Sequence, residues 1–296
     1  MPHREPGFPK QNEGKESSER GRDVEIVLKF MRHGERSPEG ELLDIGRRIT
    51  REKAAESGHA AESFDAVKAI GSAAGASKGV GMRAFETASI YADEIARDDA
   101  FAPRTRDALS YETVINPIPF DHDAIYARHL PDDFKSLSDE EKAAASLVAH
   151  RATVREEFAL DTPEARAFRR ESAGAYAHTV NHYRKMTKKL NSGSRVLVPA
   201  GTHGGIMEYL LLEATVHTDK DGKETVGYTD IEDIGGTFSP SEAYTVRIAT
   251  DAEGNETEIV LSFDNPERPQ GTLRLDIERL NELDEEYQEL HKAGIE

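Results

Sequence analysis

The sequence predicts an α/β fold in which a mostly parallel sheet lies between two layers of helices, a three-layer αβα sandwich. Patterns typical of buried strands alternate with amphipathic helical patterns along much of the chain, as in folds built from βα units. Near the C-terminus, residues 243–250 and 257–263 flank turn residues at 252–255, which predicts an antiparallel hairpin. The sheet is therefore expected to be parallel at first and antiparallel at its end.

The first half of the chain contains the clearest βα alternation. An apolar strand is predicted at 24–31 and is followed by a helix at 42–57. A short strand at 65–71 and a helix at 83–97 repeat the unit, and a short extended piece is expected near 105–110. These segments form the predicted framework of the sheet.

The middle of the chain is predicted to be a helical insertion. Residues 114–136 contain three prolines, which block long helices, so this segment is expected to be irregular. A Ser-x-x-Glu capping box begins a helix over 138–158, and a Thr-Pro pair begins another over 162–191. We interpret residues 113–191 as a helical cap inserted into the α/β framework.

The last third returns to the framework. A strand is predicted at 195–199 and a helix at 206–214, followed by short β pieces between turns in 219–236. An amphipathic helix at 272–292 is expected to close the chain. No internal repeat is present.

Composition limits the classes of function. The chain has 296 residues, a formal net charge of −18 and no cysteine, which disfavours nucleic acid or anionic membrane as a partner and excludes a cysteine nucleophile. It has no apolar run of about 18 residues that would span a membrane. We expect a cytoplasmic protein with a disordered polar tail at 1–22 and a single domain at 23–296.

The first chemical motif is the segment RHGERSP, which follows the first predicted strand. His33 could act as a nucleophile, and the neighbouring Arg32 and Arg36 could bind phosphate while keeping their charge. Nearby positive charge also disfavours the imidazolium, so His33 should stay in its neutral, nucleophilic form. Because Gly34 has no Cβ, it permits another group to approach the backbone closely at this position. A surface loop with scattered basic residues is the alternative interpretation.

Two further motifs could add to the same site. His203 and Gly204 follow the strand at 195–199 and precede a predicted helix, whose N-terminus could bind an anion. Arg83 begins the helix at 83–97, where a cation is unfavourable for the helix dipole and a bound anion would compensate. Because ligands bind at the carboxyl ends of parallel strands, we expect both histidines at one edge of the sheet.

Taken in order, Arg32-His33-Gly34, then Arg83 to Ala88, then Thr202 to Gly205 resemble the histidine phosphatase superfamily, which has the phosphoglycerate mutase-like fold. The resemblance covers residues 24–264. It implies that His33 is the nucleophile and becomes a phosphohistidine, that Arg32 and Arg83 clamp the phosphate, and that His203 is the second histidine of the pocket. It implies no metal and no other cofactor.

The resemblance also implies a carboxylic acid that protonates the leaving group. Glu112 lies at a suitable distance after the second arginine and is the candidate. Three nearby aspartates, Asp107, Asp121 and Asp123, remain alternatives.

Two departures from the family pattern bear on the reaction. Arg36-Ser37-Pro38 stands where the mutase branch usually has a small hydroxyl residue and an asparagine, and Gly204 stands where the acid phosphatase branch has an aspartate. We therefore expect a metal-independent phosphatase that acts on a small phosphorylated substrate through a phosphohistidine. A phosphoglycerate mutase-type phosphotransferase and a catalytically silent phosphate-binding protein are the alternatives, and the sequence leaves a homodimer open.

Overall fold

The computed structural model describes residues 19–37, 41–72, 82–96, 111–112, 122–218, 221–270 and 273–292. The described strands are β1 Glu25–Arg32, β2 Ala66–Val67, β3 Ile70–Ser72, β4 Tyr111–Glu112, β5 Arg195–Thr202, β6 Thr215–Thr218, β7 Glu224–Val226, β8 Ala243–Ala249, β9 Ile259–Phe263 and β10 Leu273–Leu275. The described helices are α1 Asp44–Glu56, α2 Arg83–Ile95, α3 His122–His129, α4 Asp139–Ala159, α5 Pro163–Thr187, α6 Glu208–Ala214 and α7 Ile277–Lys292.

All of these strands belong to one mixed sheet, with the order β4-β3-β5-β1-β8-β9-β10-β6-β7 and with β2 also paired to β5. The strands β1 to β5 pair in parallel, and β8, β9, β10, β6 and β7 continue the sheet with antiparallel pairs. The α/β class and the antiparallel end of the sheet are confirmed, including the hairpin of β8 and β9.

Helices cover both faces of the central strands, which gives the predicted three layers. Ile26, Leu28 and Phe30 of β1 point to one face, where they join a core built with α5, α6 and α7. Val27 and Met31 point to the other face and pack with residues of α1 and α2. Because β1 is buried on both faces, its sequence is a nearly continuous apolar run, as expected for a central strand.

Several element boundaries differ from the sequence-based expectation. The strand predicted at 65–71 is two short strands, β2 and β3, separated by Lys68 and Ala69. The segment expected to be irregular contains α3, and the closing helix begins only at Ile277, because Leu273–Leu275 pairs with β9 and β6 as a strand. The extended piece expected near 105–110 lies outside the described residues.

The end of the predicted tail is ordered. Arg20 forms an isolated β-bridge with Asn191, and the Gly21 N–H donates to the carbonyl of Leu190 at 3.0 Å. Residues 19–22 are thus held by backbone hydrogen bonds to residues 190–193, which follow α5, and a polar composition does not reveal these bonds. Residues 1–18 lie outside the described part of the chain.

The helix α5 belongs to the layers of the sandwich. Phe168, Tyr176 and Val180 are among its buried side chains and join the core of the β1 face. The predicted cap over 113–191 therefore does not include α5. That α3 and α4 form such a cap stays a prediction. The capping box of α4, formed by Ser138 and Glu141, is confirmed. No helix among the described residues is long and apolar enough to cross a membrane.

Candidate active site

The two histidines of the motifs lie next to each other at the carboxyl ends of β1 and β5. These strands pair in parallel with Arg32 opposite Thr202, so the residues that follow leave the sheet side by side. The His33 N–H donates to the carbonyl of Thr202 at 2.9 Å, and the ring centroids of His33 and His203 are 5.2 Å apart. The expected meeting of both imidazoles at one sheet edge is confirmed.

His33 is buried and has a defined tautomer. Its Nδ1 lies 2.7 Å from the carbonyl oxygen of Gly34. A carbonyl can only accept, so Nδ1 carries the proton and the lone pair is on Nε2. Burial, followed by the effects of His203, Arg32 and Arg83, holds the pKa of His33 well below its ordinary value of 6.5. The side chain is therefore a neutral imidazole with its lone pair on Nε2 at physiological pH.

Arginines surround this pair of imidazoles. Arg32 lies at the end of β1 and donates from Nη1 to the carbonyl of Phe238 at 2.5 Å, while burial lowers its pKa to about 10. Arg83 is the first residue of α2, as predicted, and burial followed by the charge of Arg36 lowers its pKa. Arg36 is exposed and forms an isolated β-bridge with Leu42.

His203 and Arg32 have buried nitrogen atoms that lack a hydrogen-bond partner. Among the described residues none pairs with Nε2 of His203 or with Nε of Arg32. Burial lowers the pKa of His203 to about 3, with further contributions from Arg83, Arg32 and Arg36. Since buried polar groups are nearly always paired in native proteins, these two atoms suit the oxygens of a bound anion.

The loop that carries His33 is held by the helix that carries Arg83. The Gly34 N–H donates to the Thr87 hydroxyl at 3.1 Å, and the same hydroxyl donates to the Arg83 carbonyl at 2.8 Å. A Cβ at Gly34 would lie 2.9 Å from Cδ1 of Leu42 and 3.1 Å from the backbone of Gly46. Only glycine therefore fits this close approach between the loop and α1.

Gly204 lies against the side chain of Arg32, and its predicted contact with a substrate stays a prediction. The helix that was expected from residue 206 begins at Glu208, and residues 204–207 form turns. The Gly205 N–H donates to the Glu208 carboxylate at 2.8 Å, so this N–H does not face a substrate. A Cβ at Gly204 would lie 2.9 Å from Cδ and Nε of Arg32. Gly204 thus makes room for the Arg32 side chain.

Sequence reasoning missed Glu208 and the carbonyl of Phe238. Glu208 is fully buried and accepts hydrogen bonds from the Thr237 hydroxyl at 2.6 Å and from the Phe238 N–H at 3.0 Å, in addition to Gly205. The only signal in the sequence was a glutamate in an otherwise apolar helical segment, IMEYLLLEA. Two of the three partners of Glu208, Thr237 and Phe238, are 29 and 30 residues away in the chain, so no local pattern identifies them.

Glu112 lies in β4, at the same end of the strands as His33 and His203. Glu112 pairs with Ser72 of β3, and Gly71 of β3 pairs with Gly201 of β5, so the backbone of Glu112 is in line with the end of β5. Two strand spacings, about 10 Å, separate it from Thr202. Of the three alternatives, Asp123 lies in α3, and Asp107 and Asp121 lie outside the described residues.

Comparisons with known proteins gave matches among solved structures. No family model and no curated protein matches the chain. Among solved structures, it is similar to an apo phytase from Hafnia alvei, with a TM-score of 0.43 and 12% identity, over 92% of this chain and 96% of the phytase. It is also similar to a mycobacterial glucosyl-3-phosphoglycerate phosphatase, with a TM-score of 0.35 and 14% identity, over 82% and 99% of the two chains.

The resemblance of the chain to the histidine phosphatase superfamily lies in its sequence motifs around His33, Arg83 and His203. At 12% and 14% identity, the likeness to the two solved structures is distant. The geometry of the site brings His33, His203, Arg32 and Arg83 together from three separate parts of the sequence.

Proposed function

We propose that this protein is a metal-independent phosphatase that hydrolyses a phosphomonoester through a phosphohistidine on His33. The observation that carries the proposal is the lone pair on Nε2 of a buried, neutral His33 beside His203, Arg32 and Arg83. A neutral imidazole is a competent nucleophile, and arginines neutralise the charge on the phosphoryl oxygens. In this proposal the guanidinium groups supply the positive charge that a metal ion supplies in other phosphatases.

In the first step, Nε2 of His33 attacks the phosphorus in line with the ester oxygen. The P–N bond forms, the P–O bond to the leaving group breaks, and Glu112 donates a proton to the leaving oxygen. In the second step, water attacks the phosphohistidine, the P–N bond breaks, and the Glu112 carboxylate takes a proton from the water. Inorganic phosphate leaves and both side chains return to their initial states.

The phosphoryl group has suitable partners in this proposal. Arg32 and Arg83 bind its oxygens, and the unpartnered Nε2 of His203 and Nε of Arg32 each gain a hydrogen bond from the complex. Binding of a dianion also favours protonation of His203, which then donates to a phosphoryl oxygen. Arg36, whose charge contributes to the low pKa values of both Arg83 and His203, adds a third cation at the mouth of the site.

The nucleophile is tested by hydrolysis of p-nitrophenyl phosphate in the presence of EDTA. His33→Ala is expected to lower kcat by about 10³-fold or more, because the nucleophile is lost. His217→Ala is a suitable control, since His217 stacks on Tyr228 and bonds to Thr225, away from this site. Full activity of His33→Ala would refute the proposal.

The same assay separates the two alternative functions. Turnover only with added bisphosphoglycerate would favour a mutase, and phosphate binding without turnover would favour a silent phosphate-binding protein.

The proton donor is tested with two leaving groups of different quality. Glu112→Gln is expected to lower kcat for glycerol 1-phosphate by about 10²-fold, because an alkoxide needs a proton as it leaves. The loss for p-nitrophenyl phosphate should be smaller, since nitrophenolate leaves readily without one. Equal losses for both substrates would contradict this role, and Asp123→Asn would then be the next variant to measure.

A further inference from the structure

A polar cavity lies between the C-terminal end of α1 and the face of the sheet that carries Lys29. Its volume is about 540 Å³, within the range of roughly 300–1,000 Å³ that is typical of small-molecule sites. Lys29, Thr245 and Ser262 line it from three neighbouring strands, and Lys53 and Glu56 line it from the last turn of α1. This cavity, called the lysine cavity below, is therefore large enough for a small metabolite.

The lysine cavity is separate from the proposed phosphate site. Among the described residues that line it, none belongs to the group formed by His33, His203, Arg32 and Arg83. Ser241 connects the two places, because it lines the cavity and its N–H donates to the carbonyls of Arg32 and His33, at 3.1 and 3.3 Å. A ligand of the lysine cavity would thus occupy a site of its own, next to the backbone that holds His33.

The floor of the lysine cavity carries a buried cation. Lys29 is 2% exposed and shares a face of β1 with the apolar Val27 and Met31. It lies opposite Thr245 of β8, which lies opposite Ser262 of β9, so three polar side chains form a row across the sheet. Burial of a charge is costly unless the charge is paired and hydrogen-bonded. Lys29 therefore needs anionic partners at this position.

The pair formed by Lys29 and Asp264 has unused hydrogen-bonding capacity. Nζ of Lys29 donates to Oδ2 of Asp264, and the ring of Tyr91 lies 5.2 Å from Nζ. An ammonium group has three N–H donors, and within the described residues no other acceptor contacts this one. In the same part of the chain, no donor contacts Oδ1 of Asp264. The floor therefore presents N–H donors and a carboxylate oxygen side by side.

Two further carboxylates on the lining are already paired. Oε1 of Glu62 accepts from Nη2 of Arg247 at 2.8 Å, and Oε1 of Glu242 accepts from Nε of Arg268 at 2.6 Å. Each of these carboxylates has a guanidinium as its partner. Neither therefore needs a ligand to balance its charge.

Lys53 and Glu56 are the charged residues of the lining that remain. They are three residues apart in α1 and so share one face of the helix. Both side chains are exposed, and among the residues that the structure describes neither has an ion-pair or hydrogen-bond partner. The rim of the cavity thus adds an unpaired cation and an unpaired anion to the pair on the floor.

We infer that the lysine cavity binds a free α-amino acid. The carboxylate of such a ligand can accept from the remaining N–H groups of Lys29 and from Lys53, and its ammonium group can donate to Asp264 and Glu56. The C-terminus of α1 also favours a cation. A simple anion would face Asp264 and Glu56 with no charge to offset them, and an uncharged polyol would leave Lys53 and Glu56 without counter-ions. The inference does not depend on the proposed function.

Isothermal titration calorimetry of the wild-type protein in saturating inorganic phosphate, which occupies the proposed phosphate site, tests the inference. Because the floor carries the hydroxyl groups of Thr245 and Ser262, the probes are amino acids with uncharged polar side chains: L-serine, L-asparagine and L-glutamine. At least one of them is expected to bind at millimolar concentration or below.

The amino acid that binds best is then compared with two derivatives. Its N-acetyl derivative lacks the ammonium group, and its decarboxylated form lacks the carboxylate. Each is expected to bind about tenfold more weakly or worse, because a charge-assisted hydrogen bond is lost. Absence of binding by all three amino acids, or equal affinity for either derivative, would overturn the inference.

Substitutions at the rim test where the amino acid binds. Lys53→Met and Glu56→Gln are each expected to weaken binding about tenfold, although they alter the charge of the protein in opposite directions. Arg48→Met and Glu52→Gln are the matched controls, because these two residues pair with each other on the same helix at 3.4 Å, outside the cavity. Unchanged affinity in both rim variants would refute the assignment. Since binding is measured without turnover, a failure of the proposed phosphatase activity would appear separately.

Discussion

At the scale of single residues, Glu208 connects the two loops on which the proposed phosphate site depends. One carboxylate oxygen accepts from the Gly205 N–H, beside His203, and the other accepts from Thr237 and from the Phe238 N–H. The carbonyl of Phe238 in turn accepts from Arg32. All three partners of Glu208 donate hydrogen bonds, so both oxygens of its carboxylate must act as acceptors.

Glu208→Gln is expected to weaken both binding and catalysis. The amide NH₂ group would face a donor, and an unsatisfied buried polar group costs about 1–3 kcal/mol. We expect a tenfold or greater loss of kcat/KM and weaker binding of inorganic phosphate by calorimetry. Glu213→Gln on the same helix is the control, because Glu213 pairs with Arg279 away from the site. Normal phosphate affinity in Glu208→Gln would show that this residue does not position Arg32 or His203.

At the scale of elements, the contact between β5 and α2 determines where Arg83 lies. A Cβ at Gly201 of β5 would overlap the carbonyl oxygen of Ala84 in the first turn of α2. A Cβ at Gly71 of β3 would lie 2.5 Å from Cα of Phe85 in the same turn. The start of α2 therefore rests directly on the backbone of two neighbouring strands. This close packing brings Arg83 to the edge where β1 and β5 end.

Gly201→Ala is expected to lower the free energy of unfolding by about 1–3 kcal/mol, because the added methyl group forces α2 away from the sheet. Activity should fall as well, since Arg83 begins that helix. Gly58→Ala is the matched control, because a Cβ at Gly58 meets nothing within 4 Å. Urea denaturation and p-nitrophenyl phosphate hydrolysis measure the two effects. Similar behaviour of both variants would contradict the close packing.

At the scale of the whole molecule, the site makes stability depend on pH. His33 and His203 are neutral in the folded protein, because burial and nearby arginines lower both pKa values. In the unfolded chain a histidine binds a proton near pH 6.5. Below that pH the unfolded state binds more protons than the folded state, so the free energy of unfolding falls with decreasing pH. For His203 this loss continues down to about pH 3.

The protein should therefore have a lower Tm at pH 5 than at pH 7, and inorganic phosphate should reduce the difference. A bound anion favours the protonated form of His203, and a ligand of the folded state stabilises it. Differential scanning calorimetry with and without phosphate measures this effect, and His203→Gln should reduce the pH dependence. A Tm that rises between pH 7 and pH 5 would contradict the low pKa values.

Much of the candidate site follows from local sequence. An apolar run that ends in Arg32-His33-Gly34 predicts a buried strand with polar residues at its carboxyl end, and the same pattern precedes Thr202 and His203. Parallel strands align their ends, so both imidazoles were expected at one edge of the sheet. Their direct contact depends also on the pairing of β1 with β5, which no local pattern shows. The start of α2 at Arg83 and the capping box of α4 are also local signals, and the structure confirms both.

By itself, then, the sequence determined the α/β class, the central strands and the two histidine motifs at their ends. Strand periodicity and glycine turns are patterns within a few neighbouring residues, so the sequence shows them directly. Only the tertiary structure decided that α5 is a layer of the sandwich and that Glu208 supports Arg32 through Phe238. An amphipathic helix can cover a sheet or form a cap, and packing between residues far apart in the chain makes that choice.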